Sequence, residues 1–203
     1  MPELSCCING NIVFINREQL AHHMLTLLPK EREKIIEFVL DNPEKEIKVR
    51  ELAALLKISP AHVCRTLKIL AEHGIIKRGD NVVDLSNPYV RMLKVLFNIK
   101  KLIDGDVIGR LKRLGAMGAG IYGSWATGTN REDSDLDIWI KVGGNPGEMK
   151  VAAISSEIRR ALGRNVQILV LTPKRIERLR EGDPIFYYSL VFGSIRLYGE
   201  AIE

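Results

Sequence analysis

One stretch limits what this chain can fold into more than any other: YGSWATGTNREDSDLDIWI, Tyr122 to Ile140. Its end alternates as a strand does, with Leu136, Ile138 and Ile140 on one face and Asp135, Asp137 and Trp139 on the other. Aspartate is a poor strand former, so two on one face need a reason. Carboxylates two residues apart on a strand lie about 6–7 Å from each other and repel. A divalent cation between them relieves the repulsion, and hard oxygen ligands suit Mg²⁺ or Mn²⁺. An isolated Asp-x-Asp pair is common by chance and is often only a solvated pair, so the residues upstream carry the weight.

Those residues are Gly123 and Ser124, after a strand ending in IYG and before SWATG, which is expected to open a helix. Gly123 lets a bulky anion approach the backbone. Ser124 offers a hydroxyl and an N–H near a helix N-terminus, where phosphate is favoured. Gly128 keeps the loop tight. The P-loop pattern GxxxxGK[ST] is absent. The text instead places a triphosphate at Gly-Ser and its metal at the two aspartates.

The pattern G-S-x10-D-x-D, with its flanking SDLDIWI, resembles the nucleotidyltransferase fold of the DNA polymerase beta superfamily, and within it the small minimal nucleotidyltransferases. The resemblance runs from about Asp106 to Glu200 and includes the closing GSIRLYG. It implies that Gly123 and Ser124, with Gly128, hold the triphosphate. It also implies that Asp135 and Asp137 are catalytic carboxylates binding Mg²⁺ or Mn²⁺, so that a nucleotidyl group passes from NTP to an acceptor hydroxyl. The acceptor is open between a protein, an RNA end and a small molecule. The family carries a third carboxylate on a later strand. In LGRNVQILVLT that position falls on Gln167, which offers a carbonyl oxygen without charge and cannot act as a general base. Nucleotide binding without turnover is therefore the alternative to transfer.

The first half reads differently. KEREKIIEFVLDN places Ile35, Ile36, Val39 and Leu40 at helical spacing, and Asn42-Pro43 stops it. VRELAALLKI forms a second helix, with Leu52, Leu55 and Leu56 expected on one face. SPAHVCRTLKILAEHG forms a third: Ser59 caps it, Pro60 fits its first position and Gly74 ends it. IIKRGDNVVDL then reads as two strands about a Gly79-Asp80-Asn81 turn. Three helices and a hairpin describe a winged helix-turn-helix. Lys57 to Arg78 contains five Lys or Arg and one acid, a net charge of +4. On the third helix Val63, Leu67 and Leu70 mark a core stripe. His62, Arg65 and Lys68 fall away from it toward a DNA major groove. Ser59 stands at the helix start, and Lys77 and Arg78 on the wing are placed for phosphate. From Glu31 to Ser86 the text resembles the MarR/ArsR-like winged-helix family, which implies binding to double-stranded DNA, often as a homodimer.

The expected class is therefore α+β: a winged helix-turn-helix domain, then a nucleotidyltransferase domain with a mixed sheet flanked by helices. The divisions are an extension over 1–28 (a strand within Asn11 to Asn16, then a helix bearing His22 and His23), the winged helix over 29–87, a linking helix over 88–105 and the second domain over 106–203. Val90, Leu93, Leu96, Phe97 and Ile99 give the linking helix an apolar stripe that suits a homodimer or packing within the chain. At 203 residues and 46% apolar, with 27% charged residues and a net charge of +5, the chain has the composition of a globular protein. Cys6, Cys7 and Cys64 have no metal-site spacing. The beginning is not a secretory signal, and PIFYYSLVFGSI is too short to span a bilayer. A cytoplasmic location without membrane partners is expected.

Overall fold

The computed structural model describes residues 5–8, 11–14, 28–79 and 81–203. The expected helix with His22 and His23, and Asp80 of the expected turn, lie outside the described residues. β1 (Ser5–Ile8) pairs antiparallel with β2 (Asn11–Phe14), Ser5 opposite Phe14.

Helix α1 (Lys30–Asp41) buries Ile35, Ile36, Val39 and Leu40, the stripe its spacing requires. Its end is closed by Asn42, whose side-chain amide donates to Phe38 O at 2.9 Å. Helix α2 (Val49–Leu56) buries Leu52 and Ala53, but Leu55 is 61% exposed. The inward arc of this short helix runs through Leu52, Ala53 and Leu56, and Leu55 falls outside it. Lys57 takes the left-handed conformation (φ 55°) and turns the chain into α3 (Pro60–Glu72). There Ser59 Oγ accepts from His62 N at 3.3 Å, Pro60 opens the helix, and Val63, Thr66, Leu67 and Leu70 are buried.

The two strands expected after α3 shrink to one antiparallel bridge, Ile76 with Val83. Lys77 N donates to Val82 O at 2.8 Å and Asp84 N to Ile75 O at 3.0 Å on either side of that bridge, so Val83 turns its own N–H away from the partner strand. Val83 N donates to Pro43 O at 3.2 Å, and the Asn81 side chain donates to Ile47 O at 3.1 Å. Those bonds tie the segment to the loop before α2.

Helix α4 (Pro88–Asp104) joins the halves. Val90 and Phe97 belong to the core of the three helices, and Leu93 and Leu96 pack against it. Leu102 belongs to the core of the second half. The apolar stripe of α4 is thus covered within the chain, as it is in the second of the two arrangements the sequence allows. Its buried face also carries Lys94 and Asn98, which hydrophobic spacing does not announce.

After α5 (Val107–Lys112), the second half forms one four-stranded sheet of β3 (Ala116–Tyr122), β4 (Leu136–Val142), β5 (Val166–Leu171) and β6 (Ile195–Gly199) in the order β5-β4-β3-β6. β3 runs antiparallel to β4 and β6, while β4 and β5 are parallel. The sheet is mixed, and helices flank it. Leu136, Ile138 and Ile140 form one core with Val107, Leu111 and α7 (Glu148–Leu162), which contributes Ile154 and Ile158. On the other face Trp139, 1% exposed, packs with Leu171, Tyr187 and Leu190 beneath α8 (Pro173–Gly182) and α9 (Pro184–Gly193). The short helix α6 (Gly123–Thr127) leads out of β3. Among the described residues no helix is long and apolar enough to cross a membrane.

Candidate functional site

Three neighbouring strand ends bring the sequence-predicted residues of the second half together. β3 ends at Tyr122, which lies opposite Asp137 on β4. Asp137 lies opposite Gln167 on β5. Asp135 stands one residue before β4, and its Oδ2 accepts from Gln167 Nε2 at 3.0 Å. Strand alternation and register alone therefore align two carboxylates and an amide on one face of the sheet.

The turn after β3 presses on these groups. Gly123 has φ +66°, and a Cβ added there would sit 2.7 Å from Asp137 Oδ2. Only glycine takes this backbone conformation without strain and also leaves room for the carboxylate. Ser124 follows, half-buried, at the start of α6. At five residues this helix has little macrodipole, so the turn's value to an anion lies in its local backbone and hydroxyl. Thr127 Oγ1 bonds Gly123 O and Ser124 O at 3.2 and 3.3 Å, and Thr129 N donates to Ser124 O at 3.0 Å. Gly128, φ +70°, brings the loop against α4: a Cβ there would meet Arg91 O at 2.3 Å.

The electrostatics are those of like charges crowded together. Burial, and then the neighbouring charge of Asp135, raise the Asp137 carboxyl above the usual range. Burial, and then Asp137, raise the Tyr122 phenol, against a smaller opposing effect of Arg175. The Tyr122 ring meets Phe186 of α9 edge-on, with centroids 6.4 Å apart. Among the described residues no group of three or more His, Cys, Asp or Glu side chains is placed to hold a metal ion. Two carboxylates in mutual repulsion, with a glycine backbone beside one of them, fit one hard cation. Gln167, already donating its amide to Asp135, adds no charge for a second. An open groove of about 440 Å³ between α7 and β5 is lined by Ser155, Ile168, Val170 and Arg175 among others, on the opposite face of the sheet.

In the first half, Arg65 and Lys68 are exposed three residues apart on α3, and Ser59, Lys77 and Arg78 are exposed as well. His62 is different: its side chain is 21% exposed, with Nδ1 3.6 Å from Glu31 Oε2 of α1. The acids of α1 are matched by α4. Glu33 pairs with Lys100 at 2.9 Å, while Glu37 and Asp41 pair with Lys101 at 3.3 and 2.6 Å. The exposed basic face of α3 is thus separate from the acidic face of α1.

Sequence reading missed Lys94, Asn98 and Asn130, which are 1%, 1% and 2% exposed. For Lys94 and Asn98 the only sign was their polarity at positions where the apolar period of α4 continues; Asn130, in the loop after α6, gave none.

Comparison with known proteins finds two matched stretches. Residues 114–186 match the family described as polymerase beta, nucleotidyltransferase. Residues 8–102 match the family described as Firmicute plasmid replication protein (RepL). The second match begins at the last residue of β1 and continues through most of α4, so β2 and the three helices fall in one match. It differs from the regulator family that Glu31 to Ser86 resembles. No curated protein and no solved structure matches the chain. Residues 114–186 are thus similar to nucleotidyltransferases of the polymerase beta type, and residues 8–102 to a plasmid replication protein.

Proposed function

We propose that the second half binds a nucleoside triphosphate with Mg²⁺ or Mn²⁺ and transfers its nucleotidyl group to an acceptor hydroxyl, while the first half binds double-stranded DNA. The observation that carries the reading is Asp135 and Asp137 beside the Gly123-Ser124 turn. Asp135 and Asp137 would hold the cation, which when bound supplies charge neutralisation for the phosphates and the departing pyrophosphate. Gly123 lets the triphosphate approach the backbone, and Ser124 donates its hydroxyl to a phosphate oxygen. In the transfer, the acceptor oxygen forms a bond to the α-phosphorus as the bond to the pyrophosphate oxygen breaks. The acceptor proton leaves to solvent, because Gln167 cannot take it.

A specific observation favours a second reading, a DNA-binding transcriptional regulator that holds nucleotide without turnover. Gln167 sits opposite Asp137 and donates to Asp135, where a third carboxylate would favour activation of the acceptor. Titration of wild type with each of the four Mg-NTPs, followed by assay of pyrophosphate release, separates the two. Asp135→Asn with Asp137→Asn is expected to abolish metal-dependent binding while circular dichroism stays unchanged. Unaltered titrations in that variant would refute the site.

For DNA, the exposed Arg65 and Lys68 of α3 support a winged-helix reading in which this helix enters the major groove. Ser59, at its start, approaches the backbone, and Lys77 and Arg78 meet flanking phosphates. The ring of His62, turned to Glu31, contributes through α1 rather than by contact. Of the α4 stripe, Val90 and Phe97 are buried in the chain, and Leu93, Leu96 and Ile99 are half-buried, leaving only part of it for a homodimer on DNA.

A further inference from the structure

The loop between Ser124 and Asp135 spans the two parts of the nucleotide site, and it is built on α4, the helix that joins the halves. Gly128 lies against the backbone of Arg91. One turn along α4, the Lys94 ammonium donates to Asn130 O and, at 2.8 Å, to Leu40 O in the last turn of α1. A further turn along, Asn98 Nδ2 donates to Trp125 O at 2.9 Å and to Asn130 Oδ1 at 2.8 Å. Asn130 Nδ2 donates back to Asn98 Oδ1 at 3.2 Å. Three successive turns of α4 therefore grip residues 125–130, immediately after Ser124.

A buried ammonium is costly, and an apolar side chain would fill the same space at less cost. Burial pulls the Lys94 pKa down to about 8. Asp41 opposes that shift, and Lys101, Arg164 and Arg131 add to it. A charge kept at such a cost calls for a task that an apolar side chain cannot perform. Here it supplies donors to two carbonyls, one from each half of the chain.

We propose that Lys94 and Asn98 are positioning residues of the nucleotide site, holding the segment between Ser124 and Asp135 in its binding geometry and making that geometry depend on the first half. The proposal rests on the reading of the site given above. Misplacing binding groups by about 1 Å typically costs up to ~10²-fold.

The test uses the full chain and whichever of the four Mg-NTPs the wild type binds. Lys94→Met and Asn98→Ala are expected to weaken that binding by about tenfold or more, with faster backbone hydrogen exchange confined to 124–134. Lys94→Gln, which keeps a donor on a shorter arm, should recover part of the affinity. Lys100→Met is the control. Lys100, on the same helix as Lys94, pairs with Glu33 of α1 and Asp104 of α4; its loss does not touch the loop and should change affinity less than about twofold. If Lys94→Met does not fold, Asn98→Ala, which removes no charge, carries the test. Wild type that binds none of the four would overturn the site reading and this proposal with it. Wild-type binding matched by Lys94→Met and Asn98→Ala would overturn this proposal alone. So would a Lys100→Met loss equal to theirs, or no recovery in Lys94→Gln.

Discussion

Gln167→Asp puts a third carboxylate where the sheet register brings β5 against the two aspartates. The amide it replaces donates to Asp135 at 3.0 Å, so an attraction becomes a repulsion. Aspartate is one methylene shorter, which sets the new charges ~5 Å apart. At that distance like charges repel by about 1 kcal/mol in water and about 3 kcal/mol at an effective dielectric of ~20. Gln167 is exposed, so the lower figure applies. A loss of about 1 kcal/mol lowers the melting midpoint of a chain this size by roughly 2–4 °C. With millimolar Mg²⁺ the sign should reverse, because three carboxylates hold a hard cation better than two. The assay is paired thermal melts of wild type and Gln167→Asp, with EDTA and with Mg²⁺, followed by pyrophosphate release at saturating Mg-NTP. Turnover is expected to rise, by up to the ~10²–10³ that a single transition-state contact contributes. If Mg²⁺ moves both midpoints equally, the carboxylates do not form a shared cation site. Brisk wild-type transfer unimproved by the substitution would show that two aspartates suffice.

Other outcomes are expected. Gly128→Ala should destabilise the chain by about 1–2 kcal/mol from backbone conformation alone. It should lose more because the new methyl meets a helix carbonyl rather than a flexible side chain; an unchanged urea midpoint would refute the packing described. Arg65→Ala with Lys68→Ala should weaken duplex binding in gel shifts. Lys77→Ala with Arg78→Ala should weaken it evenly across sequences, with a log–log salt slope shallower by about one unit per lost phosphate contact. Wild type without salt-sensitive duplex binding would remove the DNA reading. Lys94, with a folded pKa of about 8 against 10.5, binds fewer protons folded than unfolded between those values. Its cost to stability, about 3 kcal/mol, is therefore full below pH 8 and fades as pH rises toward 10.5. Urea unfolding should show that slope in wild type relative to Lys94→Met, and parallel pH profiles would refute it.

Local chemistry made much of this legible in the sequence. The alternation of Leu136, Ile138 and Ile140 against Asp137 and Trp139 stands in the strand as it reads in the text, with Asp135 one residue before it, because the period of a strand leaves no other arrangement. The cap at Ser59, the start at Pro60 and the stripe of Val63, Leu67 and Leu70 are equally local, and α3 forms with that cap, start and core face. Gln167 could be matched to its neighbours by pattern alone; which residue it faces was decided by the pairing of β4 with β5, a contact between segments about thirty residues apart. The expected hairpin contracted to a single bridge, and carbonyls of Pro43 and Ile47, more than thirty residues away in sequence, fix it against the loop before α2. Lys94, Asn98 and Asn130 show the limit most clearly. A lysine and an asparagine in an amphipathic helix read as surface residues. Only the docking of α1 and the Gly128 loop on either side of α4 buries them, and only then do their donors meet carbonyls that lie 27 to 54 residues away.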